Sequence, residues 1–275
     1  MPNTLLIVPC YDEAERLDVA AIERFASAHA DVGFLFVDDG SRDTTPEVLA
    51  RLVARRPTQF RTLRLAKNGG KAEAVRQGVQ AGLRFEPKYI GYWDADLAAP
   101  LDELPAFCDV LDRRPDVELV IGSRLPLSGH RIERTRFRGW LGRAFARVAG
   151  RVLGLRLVDT QCGAKLFRVT PATAALFERP FTSRWIFDVE LLARIKQSQR
   201  AAGGTTLRRA VYEQPLGAWQ DVGGSRLKAR DYFRAVFELV AIWWTQTRTV
   251  TLSSPAASAS TLLTDSPPAD ERRAA

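Results

Sequence analysis

The sequence predicts an α/β protein built on a doubly wound, mostly parallel sheet flanked by helices, and three observations predict it. Short apolar runs alternate with longer amphipathic stretches through the first half of the chain. The runs are apolar on both faces, as strands covered on both sides must be. They end in Pro, in Asp pairs or in Lys-Asn-Gly-Gly, so chemically able loops follow strand after strand along one edge.

Thr4 to Val8 is the first run, closed by Pro9, and Gly33 to Val37 the second, closed by Asp38, Asp39 and Gly40. Between them, Glu13 to Ala30 carries Leu17, Ile22 and Phe25 among polar residues, the pattern of a crossover helix. Thr44 or Thr45 caps the next helix, with Pro46 in its first turn and Val48, Leu49, Leu52 and Val53 along one face. Phe60 to Leu65 reads as a third strand, Lys71 to Phe85 as a third helix and Tyr89 to Trp93 as a fourth strand. Leu101 to Arg113 then reads as a helix and Val117 to Gly122 as a fifth strand ending in Ser123 and Arg124. Further on, Cys162 to Arg168 resembles a strand, Thr170 to Phe177 and Phe187 to Gln197 helices, and Leu207 to Glu213 an edge strand. Arg226 to Trp244 reads as a last amphipathic helix, and 251–275, rich in Ser, Ala and Pro, as a disordered tail.

With 46% hydrophobic and 26% charged residues, the 275-residue chain has a soluble globular composition, but its net charge of +8 calls for an anionic partner. Nucleic acid, phospholipid and phosphorylated small molecules all satisfy that demand. Cys10, Cys108 and Cys162 are too scattered for a disulfide framework or a zinc site, so a reducing cytoplasm is the simplest setting. The N-terminus lacks a basic region before its short apolar run, and no stretch reaches the roughly 18 apolar residues of a membrane span. Any membrane contact is therefore expected at the surface. From His130 to Arg156 the chain is rich in Arg with Phe137, Trp140, Leu141 and Phe145 at helical spacing. Such a helix either lies on an anionic membrane or packs on the sheet with its arginines solvated.

No G-x-G-x-x-G follows the first strand and no G-x-x-x-x-G-K-[ST] occurs, which excludes a dinucleotide dehydrogenase and a P-loop NTPase. Four loops instead converge at the strand ends: Pro9 to Glu13, Asp38 to Asp43, Lys67 to Glu73, and Asp94 to Asp96. Asp94 and Asp96 close a buried strand, where acids are costly without a cation or donor. They are either metal ligands or a turn.

These loops, as IVPCYDEAERL, VDDGSRDTT, NGGKAEAVRQG and GYWDADLAAP, together with VIGSRL, DTQCGAKLF, RWIFDVELL and WQDVGGSRLK, resemble family 2 glycosyltransferases of the GT-A fold. The match runs over about Leu5 to Lys228 and is nearest to the dolichyl-phosphate glucose synthase branch, although Asp12 stands where the family commonly has Asn. The resemblance implies an inverting, metal-dependent transfer of a hexose, glucose from UDP-glucose, onto a polyprenyl or dolichyl phosphate. It places the nucleoside on Pro9, Tyr11, Glu13, Asp38 and Asp39, and Mg²⁺ or Mn²⁺ with the diphosphate on Asp94 and Asp96. Ala95 and Lys71 would lie along the sugar nucleotide, unless Lys71 is merely a solvated helix-start lysine.

Arg124, Arg131 and Arg134 would hold the acceptor phosphate, and Gln161 and Lys165 would line the sugar or acceptor side. Trp185 would stack on a sugar or belong to the core, and Cys162 would pack. A lipid phosphate needs no base, whereas a hydroxyl acceptor would need one. Asp188 is the candidate, flanked in the catalytic set by Arg124 and Arg131; its other roles are helix capping or orienting an arginine. One domain over 1–250 is expected, with a nucleotide-sugar half to about 125 and an acceptor half from 126, in the cytoplasm or on the cytoplasmic face of a membrane. Two alternatives stay open: the same chemistry onto a soluble hydroxyl or glycan, and a non-catalytic binder of nucleotide or nucleic acid. The second would not call for acids at the ends of strands two and four, so nucleic acid is not expected as a partner.

Overall fold

A computed structural model describes residues 2–125, 131–133, 150, 159–183, 186–201, 203 and 207–220. Its strands are β1 (Thr4–Cys10), β2 (Val32–Asp38), β3 (Phe60–Arg64), β4 (Tyr89–Trp93), β5 (Leu119–Ser123), β6 (Arg131–Glu133), β7 (Ala164–Arg168), β8 (Val211–Pro215) and β9 (Ala218–Gln220). Among the described residues, seven of these form one sheet in the order β3-β2-β1-β4-β7-β5-β8, and β6 and β9 pair as a ribbon. The first four strands are parallel, with helices α1 (Val19–Ala28), α2 (Thr45–Arg55) and α3 (Lys71–Gly82) as crossovers. The predicted doubly wound, mostly parallel sheet is therefore present.

Period-two alternation divides the core. Leu5, Ile7, Leu35, Val37, Ile90 and Tyr92 face Val75 and Val79 of α3 and Phe187, Leu191 and Leu192 of the helix Phe187–Ala201. Their neighbours Leu6, Val8, Phe34, Phe36 and Trp93 face the opposite layer, α1, α2 and the helix α4 (Leu104–Arg113). β1 runs leftward through β2 to β3, and the chain then returns to place β4 on the other side of β1. That reversal makes the crevice between the ends of β1 and β4 the switch point where such sheets take ligands.

β7 breaks the parallel pattern. It enters between β4 and β5 and runs antiparallel to both, with Trp93 opposite Ala164 and Ile121 opposite Lys165. Its start is later than Cys162 because Gln161 to Gly163 curve beneath Asp94, whose amide donates to the Gly163 carbonyl at 3.0 Å. The first helix likewise begins at Val19 rather than Glu13: Asp18 caps it through the Ala21 amide at 2.9 Å, and Glu13 to Leu17 form a turn. Leu207 to Ala210, expected as the start of a strand, are a helical turn. Leu207 and Ala210 are buried three apart with Arg208 and Arg209 exposed, and the edge strand starts at Val211. The arginine-rich stretch 130–156, apart from the backbone of β6 and residue 150, the helix expected over 226–244 and the tail 251–275 lie outside the described residues.

Candidate active site

The four strand-end loops converge as expected, and their side chains tie the loops to one another. Asp12 sits in the left-handed region (φ 48°), where Asp and Asn are tolerated alike; this gives the Asn-to-Asp departure a backbone reason. Its carboxylate accepts from the Arg42 amide at 2.8 Å, and its own amide donates to Ser41 Oγ at 3.0 Å. Glu13 is held by its amide, which donates to Thr45 Oγ1 at 2.8 Å. Asp43 accepts from the Thr45 hydroxyl and amide and from the Ala14 amide. Desolvation pulls that carboxyl upward, and the hydrogen bonds prevail, leaving it below its ordinary value.

Asp38 is buried, accepts from the Ser41 amide at 2.8 Å and pairs with Arg64 Nε at 3.2 Å. Asp39 spends its carboxylate on the glycine turn: Oδ1 accepts from the Gly69 amide and Oδ2 from the Gly70 amide, both at 2.7 Å. Gly70 lies at φ 89°, a conformation glycine adopts freely, and α3 starts at the next residue. Lys71 is thereby aimed at Asp94, and its Nζ lies 2.6 Å from Asp94 Oδ1. Burial disfavours its charge, but Asp94 foremost, then Asp188, outweigh that and raise its pKa. Lys71 is thus partly exposed and paired with Asp94.

Asp96 has the opposite balance. Burial and then the neighbouring Asp94 raise its carboxyl, against an Ala98 amide at 3.1 Å and Arg16 Nη2 at 3.5 Å. Arg16 also reaches Glu13 at 3.4 Å, so it bridges the loops of β1 and β4. Sequence reasoning assigned it no role, although it lies within the IVPCYDEAERL motif. Asp94 itself fits only because residue 163 is glycine; a Cβ there would stand 1.8 Å from Asp94 Oδ2. Pro9 lies in β1 opposite Val37, Tyr11 is half-buried, and Ala95 packs into the core.

The downstream residues divide. Both arms of the Arg124 fork, Nε and Nη2, go to Asp159, with Nη2 to Oδ1 at 2.7 Å, and the guanidinium lies 5.3 Å from the Trp219 ring centre. Arg131 lies in β6, which pairs with β9 through Ile132 and Trp219. The Gln220 amide donates to Ala98 O at 3.0 Å, which sets this ribbon beside the loop after Asp96. The Arg131 side chain, Arg134 and Trp185 lie outside the described residues. Gln161 donates its amide to Asp159 Oδ1 at 3.2 Å, while its Nε2 is buried with no hydrogen-bond partner among the described residues.

Lys165, expected on the sugar or acceptor side, is instead fully buried. Its Nζ lies 2.6 Å from Asp188 Oδ1 and 2.6 Å from Cys162 O. The Tyr92 hydroxyl donates to the same Asp188 oxygen. Neither this tyrosine nor the Asp159 and Glu213 pair, joined by the Asp159 amide at 2.8 Å, was singled out from sequence. Tyr92 and Asp159 stand inside the GYWDADLAAP and DTQCGAKLF motifs, but their pairings become visible only when β7 is placed next to β4 and β5.

Burial pushes the Cys162 thiol up to about 11 and raises Cys10 further, with Glu13 and Asp38 adding to the latter. Cys162 packs against the space above Gly122. Iodoacetamide at pH 7 is therefore expected to label only Cys108 in the native protein, and slowly, with Cys10 and Cys162 labelled after denaturation, as read by peptide mass spectrometry.

A sheet of this topology with acids at its switch point is the GT-A arrangement. Glucosyl-3-phosphoglycerate synthase from Mycobacterium tuberculosis, solved with Mn²⁺, UDP and glucosyl-3-phosphoglycerate, superposes with a TM-score of 0.62 at 15% identity, over 89% of this chain and 80% of that one. Mannosyltransferase PcManGT from Pyrobaculum calidifontis, solved with GDP-Man and Mn²⁺, gives 0.57 at 18% identity, over 90% and 65%. The glycosyl transferase family 2 profile matches residues 5–173, and the chain belongs to that family: it is a glycosyltransferase. It is 34% identical to a dolichyl-phosphate beta-glucosyltransferase of Trichomonas vaginalis, over 87% of this chain and 70% of the other. With the Saccharomyces cerevisiae dolichyl-phosphate beta-glucosyltransferase the identity is 28%, over 86% and 73%.

Proposed function

We propose that this glycosyltransferase is inverting and metal-dependent and moves glucose from UDP-glucose onto a polyprenyl phosphate. The observation that carries the donor side is the juxtaposition at the switch point, with Lys71 on Asp94 and Asp96 linked through Arg16 to Glu13. The likeness to dolichyl-phosphate beta-glucosyltransferases over most of the chain supports the sugar and the lipid acceptor.

The residues fit a hard divalent cation. Two carboxylates offer only oxygen, and among the described residues no group of three or more His, Cys, Asp or Glu could enclose an ion. Such a pair leaves coordination positions to substrate phosphates, the usual way Mg²⁺ is held. Bound by Asp94 and Asp96, Mg²⁺ or Mn²⁺ would offset charge gathering on the leaving diphosphate. Pro9, Tyr11, Glu13, Asp38 and Asp39 would hold the nucleoside, with Ala95 and Lys71 beside the sugar nucleotide. Arg131 and Arg134 would take the acceptor phosphate, with Arg124 beside Asp159. Gln161 would donate its side-chain Nε2, which has no hydrogen-bond partner among the described residues, to sugar or acceptor, and Trp185 would stack on the sugar.

A phosphate acceptor is ionised at neutral pH and attacks unaided, from the face opposite the leaving group, which inverts the anomeric carbon. A hydroxyl acceptor would need Asp188 as a base, and Asp188 is enclosed by Tyr92 and Lys165. That enclosure favours the phosphate. Among the described residues no helix is long and apolar enough to cross a membrane, and we place the encounter with lipid at the cytoplasmic membrane surface.

The test is to incubate the purified chain with Mn²⁺ and radiolabelled nucleotide sugars, with and without polyprenyl phosphate, and to partition the products between butanol and water. Label is expected in butanol from UDP-glucose only when lipid is present. Asp94→Asn and Asp96→Asn should each lower that signal at least about 100-fold, since the metal's share of the barrier is several kcal/mol. Aqueous product formed without lipid would overturn the acceptor assignment.

A further inference from the structure

We propose that Lys71 competes with a divalent cation for Asp94, so that metal and nucleoside diphosphate bind this site cooperatively and each binds poorly alone. The inference rests on the proposed role of Asp94 and Asp96 as metal residues. Three features of the fold carry it.

Lys71 is fixed at the first position of α3. The turn before it is fastened by the two hydrogen bonds from the Gly69 and Gly70 amides to Asp39, so the ammonium is aimed by backbone. Its contact with Asp94 is short, 2.6 Å, and Asp94 Oδ2 occupies the space left by the missing side chain of Gly163. Asp188 is the next anion, and it already faces Lys165 at 2.6 Å and the Tyr92 hydroxyl. The Tyr92 ring lies between the two lysines, 5.9 Å from Lys71 Nζ and 5.3 Å from Lys165 Nζ. Among the described residues, Asp94 is therefore the counter-charge in direct contact with Lys71.

A dication on Asp94 must approach this ammonium against its charge, and at Asp96 it meets a second cation, Arg16, at 3.5 Å. A diphosphate changes that balance. Its oxygens offer Lys71 a second anion and complete the shell of the metal, so Asp94 is released to the cation as the lysine swings to phosphate. Coupling of this kind is reciprocal: metal tightens nucleotide by the factor by which nucleotide tightens metal.

Free Mn²⁺ measured by electron paramagnetic resonance, during titration of the full chain with and without saturating UDP, reads the coupling without any turnover. In the parent chain UDP is expected to tighten Mn²⁺ at least about tenfold. In Lys71→Met, Mn²⁺ alone should bind about tenfold more tightly than in the parent, and the further gain from UDP should fall below about threefold; Lys71→Gln repeats the test should the methionine variant fold poorly by circular dichroism. Unchanged Mn²⁺ affinity in both variants, with the parent still binding Mn²⁺ and UDP together, overturns the competition and leaves the metal assignment standing. A parent chain that binds UDP but takes up no Mn²⁺ at all, or an Asp94→Asn variant that binds Mn²⁺ as the parent does, overturns the metal assignment itself.

Discussion

Lys165→Met is expected to destabilise the fold by about 3–5 kcal/mol, because it strips a buried carboxylate of its cation. Lys165 has no exposed surface, and its Nζ serves both Asp188 and the Cys162 carbonyl. Methionine matches the stem but leaves Asp188 in the interior with one neutral donor, the Tyr92 hydroxyl. The burial that surrounds that tyrosine, with the Asp188 charge behind it, raises its pKa well above the ordinary value, so it remains a neutral donor and supplies no counter-charge. Removing both charges in Lys165→Met/Asp188→Leu should return most of the loss, since an apolar pair of similar volume replaces a buried ion pair at little net cost. Denaturant midpoints of the two variants decide the point. A single variant within about 1 kcal/mol of the parent would mean that water reaches Asp188.

The second large effect is on activity with the fold kept. Gly163→Ala should lower transfer by about 100-fold or more, because a methyl group placed 1.8 Å from Asp94 Oδ2 forces that carboxylate away from its position. Position 163 has no left-handed backbone, so alanine adds no conformational strain of its own. Thermal unfolding should therefore shift little while the rate collapses. If the rate survives, Asp94 can do its work from elsewhere.

The contrast between Gly163 and its neighbours shows where the sequence was legible. Apolar runs closed by Pro9, Asp38 and Asp94 announced the parallel strands, because strands buried on both faces leave no polar alternation to confuse them. The loops after them were legible for the same reason: acids at a buried strand end need an explanation. What escaped reading was long-range. Nothing in Ala164–Arg168 states that it will run antiparallel between β4 and β5, and only that placement sets Lys165 on Asp188 and Gly163 under Asp94. Asp39 was legible as an important acid but not as the clamp of Gly69 and Gly70, which lie 30 and 31 residues away. Leu207 to Ala210 misled because four residues hold too little pattern to separate period two from an i, i+3 pair.

The antiparallel entry of β7 has one more consequence, for how such a protein can be altered. Because β5 leaves the sheet and β7 returns to it at the same edge, the chain between them is an excursion whose two feet stand side by side, joined by the Arg124 fork on Asp159. Exchanging that segment leaves the strand pairing of the seven-stranded sheet in place but removes β6 from its ribbon with β9, and doubling its length costs only about 0.6 kcal/mol in closure entropy. The donor side, spread over four loops that brace one another, has no such seam. New acceptors are therefore most cheaply explored by grafting between Leu125 and Val158, with the Arg124 and Asp159 footing retained as the splice point.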